Sequence, residues 1–305
     1  MFIVNNRKIF YAISTLLIVI SFGAMARWGF SFGIDFTGGT SIELVYPDTK
    51  PEISVVRAQV ESLSFEPSIK GAYTVVPVGE KGYALSLRTV TDTERAALEN
   101  IFLSSSAYRV EIKKFNSIGP TLGKEAAMKS LVSVLLVVIV IMLFLTFAFR
   151  KVSHPVSSWK YGVVTLITLV HDLIIPIGAF VILNQYLYGF EINTLFITAL
   201  LVILGFSVHD TIVVFDRIRE NLRTHAGTPF AQIVGMSVSQ TFARSVNTSL
   251  TTLFAVLVVY LVGPEATKAF SLALAIGIFF GTYSSIFIGS NLLVTLEAYQ
   301  NKAGK

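Results

Sequence analysis

The stretch INTLFITALLVILGFSVHDTIVVF, residues 192–215, carries only His209 and Asp210 as ionisable side chains. Hydrocarbon about 30 Å thick takes roughly 20 apolar residues as a helix, so this stretch predicts a transmembrane span with a carboxylate inside it. Five more stretches come close to that requirement: residues 9–29, 128–149, 161–184, 241–262 and 268–295. The whole chain agrees, since 305 residues that are 53% hydrophobic and 14% charged are too apolar for one soluble domain. The absence of Cys excludes disulfides, Cys-ligated zinc, iron–sulfur clusters and thiol catalysis.

The net charge of +5 forms no continuous basic stripe, which argues against a nucleic-acid partner and leaves the lipid bilayer as the partner of the spans. Instead the basic residues cluster at span ends. Arg7 and Lys8 precede the first span, Arg150, Lys151 and Lys160 lie between the second and third, and Arg217, Arg219 and Arg223 follow the fourth. The opposite short loops, 185–191 and 263–267, have no Lys or Arg, so both termini are expected in the cytoplasm. Arg7, Lys8 and Ala24-Met25-Ala26 also resemble a cleavable signal peptide, but the apolar run is longer than a usual one and a retained anchor keeps the span count even. The chain thus divides into an N-terminal span (1–29), an extracytoplasmic domain (30–127) and a five-span bundle (128–305).

The extracytoplasmic segment alternates as a strand over 40–46, has helical spacing over 53–63, and continues with strand-like runs at 73–78 and 83–88. A helix over 91–103 and a strand over 108–115 follow. The order β-α-β-β-α-β predicts an α+β, ferredoxin-like domain. Its acidic and basic residues have neither metal-ligand nor catalytic spacing. A binding surface is expected there, and two readings stay open: hydrophobic strand edges that accept an extended polypeptide, or a packed domain with protected edges.

Ionisable groups inside hydrocarbon cost about 2.5–3.5 kcal/mol and normally face protein or water. The candidates are His171 and Asp172 in span three, His209 and Asp210 in span four, Asp216 at its end, and Arg244 near the start of span five. Asp210 and Arg244 lie about 9 and 12 Å from their span centres, both toward the same side, so they are expected to meet across antiparallel helices. Two readings stay open: a carboxylate that exchanges a proton, or a static ion pair joining two helices. His171 and Asp172 point about 100° apart and cannot both face one partner, so the open readings are one functional group of the two, or a His and an Asp bonded to polar groups of adjoining spans. Asp216, among Arg217, Arg219 and Glu220, reads as a solvated boundary face. Gly277, Gly281, Ser285 and Gly289 recur every fourth residue and predict a helix-packing face.

Two glycine-rich strings flank the extracytoplasmic domain: Gly33-Ile34-Asp35-Phe36-Thr37-Gly38-Gly39-Thr40 and Gly119-Pro120-Thr121-Leu122-Gly123-Lys124-Glu125. Neither has Walker spacing, so no nucleotide site is expected, and local chemistry reads both as flexible turns. No cofactor or metal is expected anywhere in the chain.

Taken together, Phe32 to Gly39, the Gly119-Pro120 junction, His171-Asp172, the run from Asp210 to Asn221, and Arg244-Ser245 to Thr248-Ser249 closely resemble the SecF family. The resemblance covers nearly the whole chain. It implies six α-helical transmembrane spans forming an RND-type half, paired pseudo-symmetrically with SecD beside the SecYEG channel of the bacterial inner membrane. It also implies proton-motive-force-driven help to secretory preproteins late in translocation, with Asp210 and Arg244 in proton conduction and no enzymatic activity. His209 stands where members often carry Asn, adding a titratable group. A passive scaffold of the export channel and an RND-type exporter of lipid or small molecules are the rival functions.

Overall fold

A computed structural model describes residues 1–104, 107–150, 156–187 and 189–303; Lys151, in the basic loop after the second span, lies outside the described residues. The chain forms two compact units, one of residues 1–30, 132–183 and 195–305, the other of residues 31–131 and 184–194.

The first unit is helical. A short α1 (Phe2–Asn5) leads into α2 (Arg7–Trp28), and the remaining long helices are α6 (Pro120–Ala148), α7 (Ser158–Leu183), α8 (Thr194–Thr224), α9 (Phe230–Val262) and the run α10 (Glu265–Tyr283), a π-helical turn (Ser284–Gly289) and α11 (Ser290–Ala303). Six of these stretches are long and apolar enough to cross a membrane, as hydropathy predicts. Several extend past the apolar runs, α9 beginning at Phe230 and α8 ending at Thr224. Hydropathy marks the hydrocarbon only, and polar turns continue the helix outside it.

Close packing within this unit depends on small residues. A Cβ added to Gly178 of α7 would stand 2.3 Å from the Ser21 side chain of α2. Near one end of the bundle Tyr161 stacks on Phe149 at 5.2 Å and meets Phe215 edge-on at 5.3 Å, with all three buried. The Gly277, Gly281, Ser285 and Gly289 face lies against α8 and α7. An added Cβ at Gly277 would be 2.1 Å from Ile203, one at Gly281 would be 3.1 Å from Ser207, and one at Gly289 would be 3.4 Å from Thr168. Ser285 bonds Thr211 at 2.8 Å.

The second unit contains a four-stranded antiparallel sheet in the order β2-β3-β1-β4, built from β1 (Gly39–Val45), β2 (Tyr73–Val78), β3 (Gly82–Leu87) and β4 (Glu111–Ile118). Helices α4 (Ile53–Glu61) and α5 (Asp92–Leu103) complete a ferredoxin-like unit. Alternation decides which side is buried: Ile42 and Leu44 of β1 join Leu85 of β3, Val56 and Val60 of α4, and Leu98 and Phe102 of α5 in one core. Thr91 caps α5, with Glu94 returning the bond to the Thr91 N–H at 2.9 Å. The two edges of the sheet differ, β2 being largely apolar (Tyr73, Val75, Val76, Val78) and β4 carrying charge. Edge strand β2 carries Pro77, which has no N–H to donate, and edge strand β4 presents Lys113 and Lys114 to solvent.

Candidate functional site

Asp210 lies in α8 about 24 Å from the helix start at Thr194, and Arg244 in α9 about 27 Å from the helix end at Val262, at about 1.5 Å per residue. Their depths are therefore similar. The ion pair expected between them is nevertheless not formed; among the described residues no Lys or Arg nitrogen lies within 4.0 Å of Asp210. The reason is helical phase. Ser245 and Ser249, one turn apart, are buried, and Ser249 reaches Asp210 of α8 and Thr282 of α10, whereas Arg244 sits about 100° round from Ser245 and is exposed.

The Asp210 carboxylate, 1% exposed, is met instead by hydroxyls. Ser249 Oγ of α9 and Thr282 Oγ1 of α10 stand 3.3 and 3.2 Å from Oδ2, and 2.5 Å from each other. Each hydroxyl has one hydrogen, and Ser249 Oγ also lies 2.8 Å from the Ser245 carbonyl, so two protons serve several acceptors. A proton arriving on Asp210 turns the carboxyl from acceptor to donor, and the two hydroxyls can rotate to receive it. His209, on the same helix, is 61% exposed, and its Nδ1 is 3.8 Å from Asp210 Oδ1, beyond hydrogen-bond reach.

A second cradle holds Asp172, which is fully buried. His171 Nδ1 lies 2.8 Å from Oδ1, while Oδ2 accepts from Ser284 Oγ at 2.8 Å and from Ser207 Oγ. Adjacent helix positions can both serve one site because the His171 ring turns back onto its neighbour's carboxylate. Thr282 and Ser284 stand two residues apart on the last span and so serve the two cradles from opposite sides. Composition alone concealed Ser207, Thr282 and Ser284; the usable signal was small hydroxyl residues recurring inside apolar spans beside a carboxylate. Asp216 is paired with Arg219 at an exposed helix edge.

The glycine strings meet one another rather than forming flexible turns. Gly38 and Gly39 have φ of +73° and +130°, and Pro120 opens α6 at the position where a missing N–H costs nothing. An added Cβ on Gly38 would be 2.7 Å from Pro120 Cα, and one on Gly123 would be 2.8 Å from the Gly38 nitrogen and 2.9 Å from the Phe36 carbonyl. The short helix α3 (Ile34–Thr37) places Phe36 in a buried position and Asp35 where its Oδ2 accepts from the Thr194 N–H at 3.1 Å, at the start of α8. Gly33 N–H donates to the Ile192 carbonyl at 3.0 Å. Burial, reinforced by the Asp35 carboxylate, raises the pKa of Glu191 in the same segment.

Six apolar helices with carboxylates buried in hydroxyl cradles, and an α+β domain inserted after the first span, define a multi-pass membrane protein of the transport class. The chain belongs to the SecD/SecF family: the model for "Protein export membrane protein SecD/SecF, C-terminal" matches residues 98–299, and that for the "SecD/SecF GG Motif" matches residues 29–46. It is 41% identical to a protein translocase subunit SecF of Thermobaculum terrenum, over 97% of this chain and 93% of that one. A SecF of Anaerolinea thermophila is 35% identical over 97% of this chain and 94% of its own. The crystal structure of SecDF, a translocon-associated membrane protein of Thermus thermophilus, superposes with a TM-score of 0.82 at 32% identity. That match covers 97% of this chain but 38% of SecDF, so this chain corresponds to part of that longer RND-type protein.

Proposed function

We propose that this chain is an accessory subunit of the bacterial Sec export machinery that uses the proton motive force, with SecD, to promote late translocation of secretory preproteins through SecYEG. Asp210 is the proton-binding group. The observation that carries this reading is its cradle: a carboxylate at membrane depth, 1% exposed, with rearrangeable hydroxyls around it and no fixed Lys or Arg partner among the described residues. A static helix staple would show the ion pair.

Arg244, Asn247 and Thr251 of α9 and His209 of α8 are exposed on the isolated chain at membrane depth. Lipid does not satisfy such groups, so a second membrane protein supplies their cover, which fits SecD as the partner. The Thermus SecDF, in which the matching segment is one part of a longer chain, supports the same pairing. In this reading the chain sits in the inner membrane with both termini in the cytoplasm, and His209 and Arg244 tune proton release at the interface. It acts without a cofactor or nucleotide. A proton crossing about 100 mV releases roughly 2.3 kcal/mol, enough to bias a two-state element but not to unfold a domain, so the work is delivered in small repeated steps.

Proton flux and preprotein export in vesicles, with and without SecD, test this for wild type, Asp210→Asn and Arg244→Met. Both variants are expected to lose SecD-dependent flux. Full export and unchanged flux in Asp210→Asn at normal membrane levels would refute the proposal.

A further inference from the structure

Within the helical unit an apolar groove of about 500 Å³ lies between α2, α7 and the end of the last span, with Ile18, Leu166, Val170, Ile288 and Leu292 in its walls. The Tyr11 hydroxyl at its edge is already bonded to Thr295 of α11 at 2.9 Å. From Tyr11 to Ile18 the groove runs about 10 Å along α2, which fits within the roughly 15 Å of hydrocarbon in one leaflet. Lining and length therefore suit an acyl chain.

The second observation is charge at one end of this groove. As the first and third spans, α2 and α7 run in the same direction. Arg7 and Lys8 lie one turn before Tyr11 on α2, and Trp159 and Lys160 lie two turns before Leu166 and Ile167 on α7, so both helices carry cations on the groove's face at the same end. Lys8 has no hydrogen bond or ion pair among the described residues, Arg7 bonds only the Val4 carbonyl at 3.3 Å, and Lys160 bonds the neutral Gln300 at 2.6 Å. Arg217 and Arg219, by contrast, are paired with Glu220 and Asp216. The acid on α11 nearest to this end, Glu297, is turned about 140° from Leu292. Trp159 is 57% exposed, as an aromatic ring at headgroup level is.

Exposed polar groups at membrane depth mark the face that another protein covers, and His209, Arg244, Asn247 and Thr251 put that face on α8 and α9. Neither helix lines the groove, which leaves lipid as its neighbour. Cations beside an apolar slot between spans select a lipid with a negative headgroup. We propose that the groove is a binding site for one anionic phospholipid of the surrounding membrane, its phosphate held by Arg7, Lys8 and Lys160 and one acyl chain seated against Ile18, Leu166 and Leu292. The site is independent of the proton-coupled reading above.

The chain has two Trp residues: Trp159 at the groove mouth, and Trp28 at the far end of α2, about 30 Å from Arg7. Trp28→Phe thus leaves a reporter at the site, and Trp159→Phe leaves a control. The full chain in phosphatidylcholine nanodiscs, with and without a tryptophan-free SecD, is titrated with phosphatidylglycerol or phosphatidylcholine brominated on the acyl chain, and fluorescence quenching is read. Brominated phosphatidylglycerol is expected to quench Trp159 at a bilayer fraction at least about fivefold lower than brominated phosphatidylcholine, because each basic residue near the surface contributes about that factor. Trp28 should show no preference. The double variant Lys8→Gln/Lys160→Gln is expected to lose most of the preference, and so is Leu166→Phe, which fills the groove while keeping every charge. Equal quenching by the two lipids, or a preference unchanged in the double lysine variant, overturns the site. A preference that survives Leu166→Phe shows lipid gathered at the lysines with the groove unused, and overturns it too. Loss of quenching when SecD is added makes the groove a protein interface, and loss of the preference to inorganic phosphate at constant ionic strength makes its mouth a site for a free anion; either result refutes the proposal.

Discussion

Thr282 Oγ1 lies 3.2 Å from Asp210 Oδ2 although the two residues are 72 apart in the chain, and Ser249 lies 2.5 Å from the same threonine hydroxyl. Three helices therefore converge on one buried carboxylate. Hydrogen bonds to a charged group are worth about 1.5–3 kcal/mol each, and groups in one network do not contribute independently. Ser249→Ala and Thr282→Val are each expected to lower the thermal stability of the purified chain, with the double variant costing measurably less or more than the sum. Strict additivity in that cycle would show that the hydroxyls do not act as one network.

The glycine junction separates positions that tolerate a side chain from positions that do not. A Cβ on Gly123 meets backbone atoms at 2.8 and 2.9 Å, which cannot swing aside, whereas one on Gly119 meets nothing within 4 Å. Overpacking of this kind costs about 1–3 kcal/mol. Gly123→Ala, and more so Gly38→Ala with its positive φ, are expected to destabilise the second unit in limited proteolysis, while Gly119→Ala leaves the cleavage rate unchanged.

Contact between Gly277 and Ile203 supports a rescue experiment. Gly277→Ala places a methyl 2.1 Å from the end of the Ile203 side chain and is expected to destabilise the bundle by about 1–3 kcal/mol. Ile203→Ala in the same chain removes the clashing atoms and should recover part of that loss in thermal unfolding. No recovery would place the strain elsewhere.

Acid stability of the α+β unit turns on Glu94. Arg88 grips it with two bonds, at 2.5 and 3.0 Å, and holds its pKa down at about 2, with the Thr91 amide contributing. A depressed carboxylate pKa means stability that is complete above the unfolded value of about 4.3 and is lost as pH falls toward about 2. The contribution is on the order of 1–3 kcal/mol. Hydrogen exchange of α5 amides is expected to accelerate across that window in wild type, and Glu94→Gln should be weaker at neutral pH and flatter below it.

How much of this was legible beforehand differs between the two units. Alternation in Ser41-Ile42-Glu43-Leu44 and the helical run opening at Thr91-Asp92 are patterns within a few residues, so β1 and α5 could be read close to their observed bounds. The six apolar stretches were equally plain, because a bilayer imposes a length on each span whatever its neighbours are. Asp210 stood out for the same local reason, as a charge where lipid tolerates none.

The partners of that charge were a different matter. Equal depth on antiparallel helices suggested Arg244, but depth is a one-dimensional coordinate and leaves each helix free to rotate about its axis. Packing of α9 on its neighbours fixed that rotation, burying Ser245 and Ser249, sending Arg244 outward and bringing Ser249 and Thr282 to Asp210. The glycine strings likewise looked like loose turns when read alone, since each needs the other's backbone to explain why a side chain is excluded. By itself the sequence determined the number of spans, the inserted α+β domain and which buried residues carry charge, all properties of local pattern and solvent. Only the tertiary structure decided which hydroxyls surround each carboxylate, because that depends on helix rotation and on contacts between residues far apart in the chain.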